Sequence, residues 1–118
     1  MRRRSVRCWC RVVADKGRLD GRVALVTGSI GGLGLAMASR LAEAGASIVL
    51  TSLDAPGVAE PQRAELEARH NVPVHYFPAD LSDREALRGL VDRAQAACGS
   101  IDILVNNAVV RHFAPVED

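Results

Sequence analysis

No stretch of this sequence is long and apolar enough to span a bilayer, which takes about 20 consecutive apolar residues. Cysteine is scarce, and Cys8, Cys10 and Cys98 give neither a disulfide framework nor the spacing of a zinc site, so no metal is expected. The simplest setting for such a chain is reducing and intracellular, and a cytoplasmic location follows as the expectation. Net charge is almost absent too, at +1, which gives no reason to expect nucleic acid or a membrane surface as partner. Lysine and tyrosine occur once each, as Lys16 and Tyr76. The length of 118 residues leaves room for at most one domain, and 48% apolar with 25% charged residues is a globular composition.

Glycine is placed where it counts. Val23-Ala-Leu-Val-Thr27 is a short apolar run that suits a buried parallel strand. It breaks into the glycine-rich turn Gly28 to Gly34 and resumes as an Ala-rich helical pattern with Leu33, Met37, Leu41 and Ala44 on one stripe. The three glycines have separate duties. Gly28 makes the tight turn, Gly32 leaves the backbone bare for phosphate oxygens, and Gly34 lets the helix pack closely on the strand. A helix N-terminus behind such a turn presents free N–H groups and a positive dipole end to a pyrophosphate.

The pattern Thr27-Gly28-x-x-x-Gly32-x-Gly34 resembles the signature of the short-chain dehydrogenases/reductases. Two later stretches stand where that family would place them. Asp80-Leu81 follows a third strand, where the resemblance implies a carboxylate that accepts from the adenine amino group. Asn106-Asn107-Ala108-Val109 resembles the family's Asn-Asn-Ala-Gly motif, with valine in place of glycine. The resemblance implies that Thr27, Gly28, Ile30, Gly32, Leu33 and Gly34 bind the cofactor. It puts Leu53, Asp80 and Leu81 on the adenosine side, with Asn107 and Val109 toward the nicotinamide ribose.

Taken in order, residues 1–18 form a basic stretch in which Arg2, Arg3, Arg4, Arg7 and Arg11 precede the first acid, Asp15. A transit peptide and a basic arm are weighed against a disordered extension, and the extension is preferred, with the domain running over 19–118. Gly45 ends the first helix and Ser47 to Thr51 reads as a second strand. An acid about 20 residues past the glycine turn accepts from the adenosine ribose hydroxyls and repels a 2′-phosphate. Asp54 is at that distance, although Ser52 occupies the position two past Leu50. No Arg or Lys occurs in the turn or in Thr51 to Gly57, which tilts the expected cofactor toward NAD and away from NADP.

Pro61 is expected in the first turn of a largely solvent-facing helix through His70, stopped by Asn71 and Pro73. Val74 to Pro78 reads as a third strand, in which His75 is a packed or surface residue. Ser82 and Glu85 form a capping box that opens a helix through about Ala97, with Leu87, Leu90, Val91 and Ala94 inward. Gly99 closes it, and Cys98 reads as a small hydrophobe. Ile101 to Val105 is the expected fourth strand.

The tail Arg111-His-Phe-Ala-Pro-Val-Glu-Asp118 resembles a run found in the 3-hydroxybutyrate dehydrogenases of this family. In that run a Gln contacts the substrate carboxylate, and Arg111 stands in its place, where a guanidinium can bind a carboxylate bidentately. The family's Ser and Tyr-x-x-x-Lys follow this region, and no Tyr-x-x-x-Lys occurs in these 118 residues. The expected architecture is therefore α/β: a Rossmann-like βαβαβαβ half of a doubly wound parallel sheet, strand order 3-2-1-4, incomplete. The implied activity is NAD-dependent hydride transfer on a small 3-hydroxy acid or 3-oxo substrate, with homotetrameric assembly in a full-length member and the chain inactive alone. A 3-oxoacyl-carrier-protein reductase fragment and a non-catalytic dinucleotide-binding module are the alternatives.

Overall fold

The computed structural model describes residues 18–109. The basic stretch up to Gly17 and the tail from Val110, with Arg111, lie outside them. Seven elements alternate along the chain: β1 (Val23–Thr27), α1 (Gly32–Glu43), β2 (Ser47–Thr51), α2 (Pro56–His70), β3 (Val74–Tyr76), α3 (Arg84–Cys98) and β4 (Ile103–Val105). The strands form one parallel sheet in the order β3-β2-β1-β4, as the sequence pattern predicts. Val23 to Thr27 lie opposite Ser47 to Thr51, and Ala24 to Val26 opposite Ile103 to Val105.

Every residue of β1 is buried, which is what an unbroken apolar run requires when helices cover both faces of a parallel sheet. Ala24, Val26, Ile48 and Leu50 pack with Ala38 and Ala42 of α1 and Leu66 of α2, while Val23, Leu25 and Val49 pack on the other face with Leu90 and Ala94 of α3. The interior is built of small and aliphatic side chains, so the helices approach closely. This sets the seat of α1: its buried residues are Gly34, Ala38 and Ala42, not the stripe of larger residues. Leu33 is 68% exposed, Met37 and Leu41 are half-buried, and Ala44 is the C-cap. A row of small residues four apart lets the helix axis come nearer the sheet than a leucine row would, and the larger side chains flank it.

Element ends differ from the expected ones for local reasons. α2 starts at Pro56 rather than Pro61, because Pro56 takes the first helical turn, where its fixed φ is already helical. Pro61 then lies inside the helix, where the carbonyl it leaves without a partner belongs to exposed Gly57. Asn71 in the left-handed conformation (φ 54°) ends the helix as expected. β3 stops at Tyr76, yet Phe77 N–H still donates to Leu50 O at 3.1 Å and Ala79 N–H to Ser52 O at 3.0 Å, so the chain follows β2 further. From α2, Arg63 donates to Val74 O (3.0 Å) and Glu67 accepts from Val74 N–H (3.0 Å), which pins the edge strand with side chains.

The N-cap of α3 is Asp83, not Ser82: its Oδ1 accepts from Glu85 N–H at 2.9 Å and Ala86 N–H at 3.4 Å. Ser82 instead bonds Asp80. Leu87 is 41% exposed where an inward position was expected, while Leu90 and Ala94 are fully buried. β4 is shorter than expected because Asp102 docks by its side chain. Its carboxylate accepts from Val23 N–H and its own N–H donates to Val23 O, both at 2.9 Å.

Candidate functional site

At the C-terminal end of β1 the chain must turn sharply into α1. Gly28 (φ 60°) and Gly32 (φ 56°) adopt the left-handed conformation that glycine takes without strain. Gly34 is a matter of space instead. A Cβ there would strike the Gly28 carbonyl oxygen and come within 2.7 Å of Asn107 Nδ2. Helix α1 begins with Gly31 as N-cap, no side-chain cap and no acid in its first turn. Its first N–H groups are thus left to an outside acceptor, and an anion is the acceptor that the dipole favours.

Two polar staples hold this turn. Thr27 Oγ1 accepts from Asn107 N–H and Ala108 N–H, both at 2.9 Å, and donates to Val105 O at 3.4 Å, while Asn107 Nδ2 donates to Gly28 O at 3.2 Å. The second staple is Ser29, which sequence reasoning passed over. Fully buried, it accepts from Thr51 N–H at 3.0 Å, and its own N–H and hydroxyl reach Thr51 O at 3.3 and 3.4 Å. A small polar residue inside an otherwise apolar glycine turn is the signal that could have found it. The turn is therefore tied to the segment after β4 on one side and to the end of β2 on the other.

Between these elements lies a cleft of about 500 Å³. Gly28, Leu53, Asp54, Asp80, Leu81 and Val109 all line it, together with Thr51, Ser52, Ala79, Ser82 and Ala108. Thr27 and Asn107 stand behind it as the staple, and Gly32 and Gly34 form the start of α1. Half-buried Ile30 and exposed Leu33 are outside the lining, Leu33 lying beside Met37 and Val105 on another surface. Val109 is 70% exposed at the cleft.

Two acids serve the cleft. Asp80 Oδ1 accepts from the Ser82 hydroxyl at 2.6 Å and Ser82 N–H at 3.0 Å, which hold the carboxyl below its ordinary range. It therefore stays ionised, with Oδ2 available to a donor such as an amino group. Asp54 lines the same cleft from the loop after β2. Thr51 Oγ1 is buried without a hydrogen-bond partner where β2 meets the cleft. Cys98, half-buried at the end of α3, has its thiol pushed up by desolvation and takes no part. Among the described residues no His, Cys, Asp or Glu cluster could hold a metal, and no helix is long and apolar enough to cross a membrane.

An uncapped helix start behind a glycine turn, an acid past β2 and a second acid past β3, all on the carboxyl end of a parallel sheet, define an α/β protein of the doubly wound class, in which ligands bind at that end. The residues present fit an anionic nucleotide: Gly31 and Gly32 leave open space at the start of α1, and Asp54 and Asp80 offer carboxylate acceptors at the cleft. The short chain dehydrogenase family model matches residues 22–118, and the chain belongs to that family. It is 41% identical over 101 residues to a D-beta-hydroxybutyrate dehydrogenase of Cupriavidus necator, a match covering 85% of this chain and 38% of the relative. It is 43% identical over 101 residues to a D-threitol dehydrogenase of Mycolicibacterium smegmatis, covering 86% of this chain and 38% of the relative. Among solved structures, an NAD+-bound xylitol dehydrogenase superposes with a TM-score of 0.72 at 38% identity, over 77% of this chain and 34% of that one. The chain thus spans less than two-fifths of the length of these relatives.

Proposed function

We infer that this chain is the N-terminal, cofactor-binding part of an NAD-dependent dehydrogenase acting on 3-hydroxybutyrate. The observation that carries the reading is the single cleft in which the Gly28 turn, Asp54 and Asp80 converge. A dinucleotide laid across it would have its pyrophosphate at the α1 N-terminus, its adenosine ribose near Asp54 and its adenine near Asp80. The absence of Arg and Lys from Thr51 to Gly57 supports NAD over NADP, because nothing there would neutralise a 2′-phosphate. Once bound, the nicotinamide accepts or supplies hydride.

The Arg111 to Asp118 tail and the Cupriavidus necator relative support 3-hydroxybutyrate as substrate, with Arg111 toward its carboxylate. The threitol and xylitol dehydrogenases support a polyol as the second reading. The domain is taken to begin at Leu19 behind a basic extension, a homotetramer is the assembly implied by family resemblance, and the scarcity of cysteine supports a cytoplasmic setting.

Calorimetric titration of the 118-residue chain tests the cofactor reading: NAD is expected to bind more tightly than NADP, and the reverse order overturns it. Adding 3-hydroxybutyrate to the NAD complex is expected to yield no NADH, since Tyr-x-x-x-Lys is absent from these residues. Loss of a proton-transfer group costs roughly 10²–10⁴-fold even in an intact site, so turnover above background would show that other groups carry the proton.

A further inference from the structure

The loop that carries Asp54 is held by two hydroxyl groups from different strands. Tyr76, at the end of β3, donates its phenolic proton to Asp54 O at 2.6 Å, with Ser52 O at 3.4 Å as a weaker second acceptor. Ser52 Oγ lies 2.8 Å from the phenol oxygen and 2.9 Å from Asp54 Oδ2, and it accepts from Asp54 N–H at 3.2 Å. The carbonyl, the amide and the carboxylate of Asp54 are thus all bonded to this pair.

Two hydroxyl protons serve three short oxygen–oxygen contacts: phenol to Asp54 carbonyl, phenol to Ser52, and Ser52 to the carboxylate. Ser52 Oγ donates its proton to Asp54 Oδ2, since lone pairs facing a carboxylate at 2.9 Å would repel, and the phenolic proton lies between Asp54 O and Ser52 Oγ. With Oδ2 held in this way, the other carboxylate oxygen, Oδ1, accepts no hydrogen bond among the described residues and is left to a donor from the cleft. A ribose 2′-hydroxyl can be that donor. A 2′-phosphate brings mainly acceptors and more negative charge.

We propose that Tyr76 is a positioning residue for cofactor selectivity, which acts with Ser52 to fix the Asp54 carboxylate where it accepts from a free ribose hydroxyl and repels a phosphorylated one. The proposal rests on the reading of the cleft as a dinucleotide site. Tyr76 reaches it from the neighbouring strand and needs no contact with the ligand.

The test is a set of NAD and NADP dissociation constants, by calorimetry, for the unaltered chain, Tyr76→Phe, Ser52→Ala, Asp54→Asn and the Tyr76→Phe/Asp54→Asn double variant. Tyr76→Phe is expected to shrink the NAD-over-NADP ratio by roughly tenfold, the order of one hydrogen bond to a charged or rigidly held group. Ser52→Ala should move the ratio the same way. In the Asp54→Asn background Tyr76→Phe should leave the ratio unchanged, because its effect runs through the carboxylate. A Tyr76 that only supports the fold would weaken both cofactors alike, and an unchanged ratio in both Tyr76→Phe and Ser52→Ala overturns the proposal while the dinucleotide reading stands. Additive effects in the double variant overturn it as well. Tighter NADP binding by the unaltered chain, or binding of neither, overturns both.

Discussion

Gly34 shows how little latitude the site has at the scale of one residue. A single methyl at that position would occupy the space of the Gly28 carbonyl, and backbone cannot move aside as a flexible side chain can. Gly34→Ala is therefore expected to abolish NAD binding in calorimetry. Val109→Gly is expected to raise affinity severalfold at most, because Val109 is largely exposed and its methyls crowd the cleft rather than fill it. Equal binding by Gly34→Ala and the unaltered chain would mean that α1 can shift without cost. The duty of Gly34 was legible in the sequence, since glycine spacing in a strand-turn-helix context has few physical explanations. Ser29 was not legible, because its hydroxyl matters only once Thr27 and Thr51 are opposite each other, and that register is a property of the sheet. Ser52 and Tyr76 escaped for the same reason: 24 positions apart, they meet only through the pairing of β2 with β3.

Among elements, strand-helix alternation was plain from the apolar runs, while ends and faces were decided by contacts. The Ser82 and Glu85 spacing has the form of a capping box, yet Asp80 captures the Ser82 hydroxyl and Asp83 caps α3 instead. Asp83→Ala should lower stability by about 1 kcal/mol in chemical denaturation, in keeping with loss of an N-cap. Ser82→Ala should leave α3 in place and act on the cleft, by releasing Asp80 from the bonds that keep its carboxyl below the ordinary range. Reversed effects would restore the capping box. The face of α1 was misjudged because periodicity weighs residues by hydrophobicity, whereas a helix seated over β1 is limited by volume, and Gly34, Ala38 and Ala42 are what fit.

For the molecule as a whole, the strand order 3-2-1-4 followed from the sequence because parallel strands joined by helices allow few arrangements. The placement of β4 depends on one carboxylate that spacing did not reveal. Asp102 is held below its ordinary value of 3.8 chiefly by Val23 N–H, which outweighs the opposing desolvation, with lesser help from Ser100 and Arg22. A depressed carboxyl stabilises the fold fully above its unfolded value, and that contribution fades as pH falls through the folded value. Denaturation midpoints for the unaltered chain and Asp102→Asn should therefore differ by a constant amount at neutral pH and converge below about pH 4. Parallel curves throughout would show that the charge contributes nothing. The bond from Asp102 to Val23 joins residues 79 positions apart, and those from Asn107 and Ala108 to Thr27 span 80 and 81. Chain order thus becomes time order. During synthesis β1 and its glycine turn emerge before β2, β3 and β4, but one of the two staples on that turn has no partner until β4 has been made and has crossed the sheet to reach it. Of the described elements, the glycine turn is made early and fastened late.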